Sequence, residues 1–142
     1  MNKIVETALA EYGNTGIIGE KDNPEVMKYF HETGYIFTDH DETPWCAAFL
    51  NWVLKKCNIE TPNKLNARSF LEIGQESTSP VLGDIVVLWR IDKDGPYGHC
   101  GIFVRKVGNI LYILGGNEDN TVKIKGYSAD QLLGYRHVLD SQ

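Results

Sequence analysis

A chain of 142 residues is the size of one compact domain and long enough to bury a substantial core without disulfides or a structural metal. Its formal net charge is −5, and Lys55, Lys56, Lys123 and Lys125 are scattered, which argues against nucleic acid as a main partner. No apolar run is long enough to cross a membrane, and Met1-Asn2-Lys3-Ile4-Val5-Glu6 lacks the apolar segment of a signal peptide. The expectation is therefore synthesis as a soluble cytoplasmic chain, delivered if it works elsewhere. With three cysteines at least one must be free. Cys46 and Cys57 would lie on one helix, roughly 16 Å apart by helical rise and too far to bridge.

Taken in order, Ile4, Val5, Ala8, Leu9 and Tyr12 recur at helical spacing, and Gly13 offers a stop. Residues 14–20 read as loop. Asn23-Pro24-Glu25 is a helix start with cap, proline and first-turn acid, and the helix runs to Gly34. An acidic, turn-rich stretch over 35–42 leads into the segment around which the chain is organised. There Thr43 fits an N-cap and Pro44 the first helical position, so Cys46 falls in the first turn. Trp45, Phe49, Trp52 and Val53 give this helix large apolar residues over much of its surface, the mark of deep burial. Asn58 is a reasonable C-terminal residue.

A short helix is expected over Ala67–Ile73, closed by Gly74, and residues 75–83, rich in Ser, Thr and Pro, read as loop. The pattern then changes to strands: Asp84–Arg90, His99–Arg105, Ile110–Leu114, Thr121–Lys125 and Tyr135–Leu139. A turn lies at Asp92–Pro96, and Ser128 caps one helical turn. Helices first and strands second predict an α+β fold, with N-terminal helices packed on an antiparallel sheet of about five strands. No internal repeat, low-complexity tract or boundary interrupts residues 1–142, so one domain and a monomer are expected.

At the start of a helix the unpaired N–H groups and the positive end of the dipole favour a thiolate, which makes Cys46 a candidate nucleophile. Four histidines are available to it. His31 lies on an ordinary amphipathic helix, His40 in a loop, and His137 reads as a half-buried structural residue of the last strand. His99 stands apart, at a strand start between Gly98 and Gly101, where the glycines leave space for a close approach. If the hairpin from His99–Arg105 to Ile110–Leu114 turns near Gly108, opposed residues sum to about 216. His99 then faces Asn117 within a position or so, and the Asn117 carbonyl would accept the ring N–H and fix the tautomer. A register slip would nominate Glu118, Asp119 or Asn120 instead. A metal site built from Cys46, Cys57, His99 and Cys100 is disfavoured, because no Cys-x-x-Cys or His-x-x-x-His spacing exists and strand neighbours point to opposite faces.

The motifs Pro44-Trp45-Cys46-Ala47-Ala48-Phe49, Leu82-Gly83-Asp84-Ile85-Val86-Val87-Leu88, Gly98-His99-Cys100-Gly101-Ile102-Phe103 and Leu114-Gly115-Gly116-Asn117 resemble, in order and spacing, the CHAP family. These are the cysteine, histidine-dependent amidohydrolases/peptidases of the NlpC-like papain-fold superfamily, and the likeness is to small single-domain proteins of bacteria and phages. It implies Cys46 as nucleophile, His99 as general base and Asn117 as orienting residue, with the Cys46 backbone N–H in the oxyanion hole. It also implies Tyr35, Trp45 and Tyr97 as cleft-wall candidates, core packing being preferred for Trp45. Cys100 departs from the family's usual aliphatic residue and is expected to point harmlessly into the core. The implied reaction is hydrolysis of a peptidoglycan amide through a thioester, with no metal or organic cofactor, after the protein reaches the wall. The implied partners are peptidoglycan or its stem peptides, with a protein inhibitor as a further candidate. A non-catalytic wall-binding module and a papain-like deamidase or transferase on another amide are the alternatives.

Overall fold

A computed structural model describes residues 2–15, 23–33 and 45–138. Three helices come first: α1 (Lys3–Leu9), α2 (Pro24–His31) and α3 (Cys46–Lys56). The expected caps form, with the Asn2 side chain accepting from the N–H groups of Ile4 and Val5, and that of Asn23 accepting from Glu25 ahead of Pro24. The Ala67–Glu72 segment is a 3₁₀ turn, and six strands follow: β1 (Gln75–Ser77), β2 (Ile85–Trp89), β3 (Gly98–Val107), β4 (Ile110–Gly115), β5 (Lys123–Ser128) and β6 (Leu132–His137). They form one antiparallel sheet in the order β1-β6-β2-β3-β4-β5. A 3₁₀ turn, Ala129–Gln131, joins β5 to β6, and the Ser128 hydroxyl accepts from the Asp130 N–H as its cap.

The sheet departs from the sequence reading in three places. β1 lies in the stretch read as loop: it is a short edge strand on β6 with no buried residue, so no apolar alternation marks it. β5 starts at Lys123, not Thr121, because a turn occupies the residues before it. β6 starts at Leu132, earlier than the expected Tyr135.

α3 is the central helix, and every residue from Cys46 to Leu54 is buried. It begins at Cys46, two residues later than expected. Trp45 is its N-cap and has no side-chain capping bond, while Thr43 and Pro44 lie outside the described residues. At the other end Asn58 is left-handed with φ 58°. The Asn58 N–H donates to the Lys55 carbonyl and the Ile59 N–H to the Leu54 carbonyl, a Schellman closure. Tyr29 of α2 holds α3 through ring contacts with Trp45 (5.8 Å), Phe49 (5.0 Å) and Trp52 (5.2 Å). Each aromatic buried here contributes about 2–3 kcal/mol of apolar burial. On the sheet side Gly116 sets the approach: a Cβ there would stand 2.6 Å from Phe49 Cβ and 2.8 Å from Trp45 Cε3.

The β3–β4 hairpin turns at Gly108-Asn109, with Gly108 at φ 58° and Val107 opposite Ile110. A register shift between Phe103 and Arg105 then changes the sum of paired residues from 217 to 216, giving Phe103↔Ile113 and Ile102↔Leu114. The expected register therefore holds at the end nearer His99. The ladder stops there, and the chain beyond Gly115 leaves the plane of pairing.

Candidate active site

Cys46 is the first residue of α3, and its N–H belongs to the first turn, where no intrahelical acceptor exists. Its thiol meets two side chains of β3, His99 and Cys100. His99 lies opposite Leu88 and is only 6% exposed. Its Nε2–H donates to Glu118 Oε2 at 2.7 Å, which leaves Nδ1 as the ring nitrogen for Cys46. The His99 ring also stacks on Tyr127 of β5, with centroids 5.2 Å apart. The Tyr127 hydroxyl donates to the other Glu118 oxygen, Oε1. Cys46, His99, Glu118 and Tyr127 thus form one chain of contacts.

The partner of His99 is therefore Glu118, and the expected bond from Asn117 is absent. The cause is the turn after β4. Asn117, Asp119 and Asn120 all adopt left-handed backbone, with φ 58°, 53° and 64°. The turn closes by paired backbone bonds, Glu118 N–H to the Thr121 carbonyl and Thr121 N–H to that of Glu118. Asn117 and Asp119 face the cavity while Glu118 is fully buried beneath it. A sequence signal for this existed: Asn and Asp tolerate left-handed backbone, and Glu, placed between them, contributes nothing to such a turn.

The glycines flanking His99 also act differently from expectation. The space beside Gly101 is filled by Ile113, whose Cγ2 would lie 2.4 Å from an added Cβ, and that beside Gly98 by the Leu88 carbonyl at 2.7 Å. They admit the fold's own neighbours. Cys100 is buried in the core as expected, yet it is not inert: its thiol hydrogen-bonds the Cys46 sulfur.

These contacts polarise the pair. The hydrogen bond from Cys100, opposed by burial and helped by the His99 charge, holds the Cys46 thiol well below its usual range. Burial alone would lower the His99 value, but the Cys46 thiolate and the Glu118 carboxylate outweigh it and push His99 up to about 10. Burial and Cys46 push the Cys100 thiol up, so it stays protonated and donates. Burial, then the Glu118 carboxylate, does the same for the Tyr127 phenol. Both directions favour the charged forms, a thiolate on Cys46 beside an imidazolium on His99.

Two cavities meet at Cys46. One, about 560 Å³, is polar and lined by His99, Asn117, Asp119, Lys125 and Tyr127. The other, about 350 Å³, is lined by Leu65, Ala67, Pro96 and Tyr97. Tyr97 is 59% exposed and forms a wall as expected. Trp45 is fully buried against Tyr29, with its indole N–H donating to Asn120 Oδ1 at 3.3 Å, so it packs the core and forms no cleft wall. Tyr35 and His40 lie outside the described residues. His137 has its own acid, Nδ1 to Asp84 Oδ1 at 2.6 Å, and joins β6 to the start of β2 away from the cysteine. Tyr127 and Arg90 are not among the residues that the sequence singles out. Among the described residues no three His, Cys, Asp or Glu side chains are arranged to hold a metal ion, and no helix is long and apolar enough to cross a membrane.

Three helices on a six-stranded antiparallel sheet, with Cys46 at a helix start and His99 on a strand, make an α+β fold. A solved structure of the same fold is that of a lipoprotein-like protein of the NLP/P60 family from Staphylococcus aureus subsp. aureus Mu50. It superposes with a TM-score of 0.55 at 22% identity, covering 98% of this chain and 41% of that one. This chain therefore spans well under half of that protein's length. Neither family models nor curated proteins give a match to the sequence.

Proposed function

We propose that the protein hydrolyses an amide bond of peptidoglycan, as a muramoyl–alanine amidase or a stem-peptide endopeptidase, through a cysteine thioester. The observation that carries this reading is the convergence of Cys46 and His99 in one cleft, with Glu118 buried beneath it and bonded to the far side of the His99 ring. The likeness to an NLP/P60-family fold and the four sequence motifs support the choice of substrate class.

In this mechanism the Cys46 thiolate attacks the carbonyl carbon. The oxyanion forms beside the Cys46 backbone N–H, at the positive end of α3. His99 gives its Nδ1 proton to the departing amine while Glu118 keeps hold of Nε2–H and stabilises the imidazolium. His99 then takes a proton from water, which cleaves the thioester and frees the acid. The substrate lies outside the cytoplasm, so the reading requires delivery to the wall. The test is clearing of purified cell walls in a gel: the wild type should clear and Cys46→Ala should not. Equal clearing by both ends the proposal. Mass spectrometry of the released fragments identifies the bond, and a wild type active on other amides but inert on walls would favour a deamidase or transferase.

A further inference from the structure

We propose that Arg90 is the carboxylate-binding residue of the cleft, anchoring a free carboxylate of the substrate next to the scissile amide. The assignment rests on the amide-hydrolase reading and extends it to the chemistry of the substrate. Arg90 directly follows β2, and its backbone N–H donates to the Tyr97 carbonyl at 3.1 Å, which fixes its Cα at the rim. Its position is distinctive: Arg90 and Cys46 are the two residues that line both the polar and the apolar cavity. Any chain laid across the nucleophile from one cavity to the other passes the guanidinium.

The other charges nearby are already engaged. Asp119 is held by Lys125 at 2.7 Å and Lys123 at 3.0 Å. The Arg68 guanidinium bonds the backbone carbonyls of Asp92, Lys93 and Tyr97, bracing the turn that carries the apolar wall. Among the described residues the Arg90 guanidinium has no acid and no carbonyl to bind, and its side chain is exposed. A planar guanidinium in open solvent at the edge of a reaction site matches a carboxylate in bidentate geometry. In a chain of net charge −5 it is an exposed cation beside the nucleophile.

The direct probe is a pair of small alkylating reagents that differ in one group. Iodoacetate carries the carboxylate and iodoacetamide the neutral amide, and either leaves a thioether on Cys46 and releases iodide. The readout is the ratio of the two rate constants at Cys46. Arg90→Gln should lower that ratio about tenfold while leaving the iodoacetamide rate unchanged, and Arg90→Lys should recover part of it. On walls, the wild type should clear native peptidoglycan faster than peptidoglycan whose carboxylates have been converted to carboxamides, and Arg90→Gln should clear both at one rate. An unchanged reagent ratio in Arg90→Gln with Cys46 still reactive overturns the assignment. So does equal slowing on both walls, which would indicate an oxyanion role. A Cys46 unreactive to both reagents overturns the hydrolase reading and the assignment with it.

Discussion

Glu118→Gln isolates the third member of the site. The carboxylate is fully buried and each oxygen takes one donor, His99 Nε2–H at 2.7 Å and the Tyr127 hydroxyl. Glutamine keeps the shape, but its amide oxygen serves only one of these donors, and its NH₂ then faces the other. The loss is one charge-assisted hydrogen bond and the carboxylate's support of the imidazolium. Such a bond contributes about 1.5–3 kcal/mol. At about 1.36 kcal/mol per tenfold, kcat/KM should fall roughly 10- to 150-fold. The alkylation rate of Cys46 at neutral pH should fall with it, because less thiolate is held. Asn117→Gly is the control: it keeps the left-handed backbone at φ 58°, removes only a side chain that does not bond His99, and should change either rate less than about threefold. The assay is wall clearing and iodoacetamide kinetics on both variants, with thermal melts to show that each is folded. Glu118→Gln within twofold of wild type, or Asn117→Gly losing as much as Glu118→Gln, would refute the assignment.

Two further outcomes follow from the same geometry. Gly116→Ala places a Cβ 2.6 Å from Phe49 and 2.8 Å from Trp45, so α3 must shift. Overpacking of this kind costs about 1–3 kcal/mol, which a thermal melt should read as a Tm lower by several degrees, with activity lost more steeply as Cys46 is displaced. An unchanged Tm would mean the helix yields freely. The pH profile follows from the two shifts. With the thiol held below its usual range and His99 raised to about 10, the ion pair exists above the depressed thiol value and is lost as pH rises through about 10. The log of kcat/KM should therefore stay level through neutral pH and fall near pH 10. A fall near pH 7 would contradict the ion pair.

Much of this molecule can be read from its sequence because the chemistry is local. Asn2 and Asn23 cap helices by bonds within a few residues, and the apolar residues around α3 imply its burial. The pairing of Cys46 with His99 follows from a helix start and a strand start. Glu118 is harder to read because its place depends on a break in periodicity. The register near Leu114 is the expected one, but three left-handed residues follow the strand end and rotate the chain, so the counting rule fails at Asn117, three residues past the last pair that obeys it. Cys100 marks a different limit. Alternation assigns it correctly to the face beneath α3, but not which atom waits there, and that atom is the Cys46 sulfur. The vacant guanidinium of Arg90 is a property of what it fails to touch, which only the assembled fold reveals.

The activation of Cys46 is tested most directly by the pH dependence of iodoacetamide labelling at each of the three cysteines, quantified by peptide mass spectrometry in one sample. Cys57 and Cys100 are buried free thiols and serve as internal controls. Cys46 should label far faster than either at neutral pH, with an apparent pKa well below the usual thiol range, and His99→Ala should abolish the advantage. Slow labelling of all three, each rising only at alkaline pH, would contradict the claim that the fold builds an activated nucleophile at the start of α3.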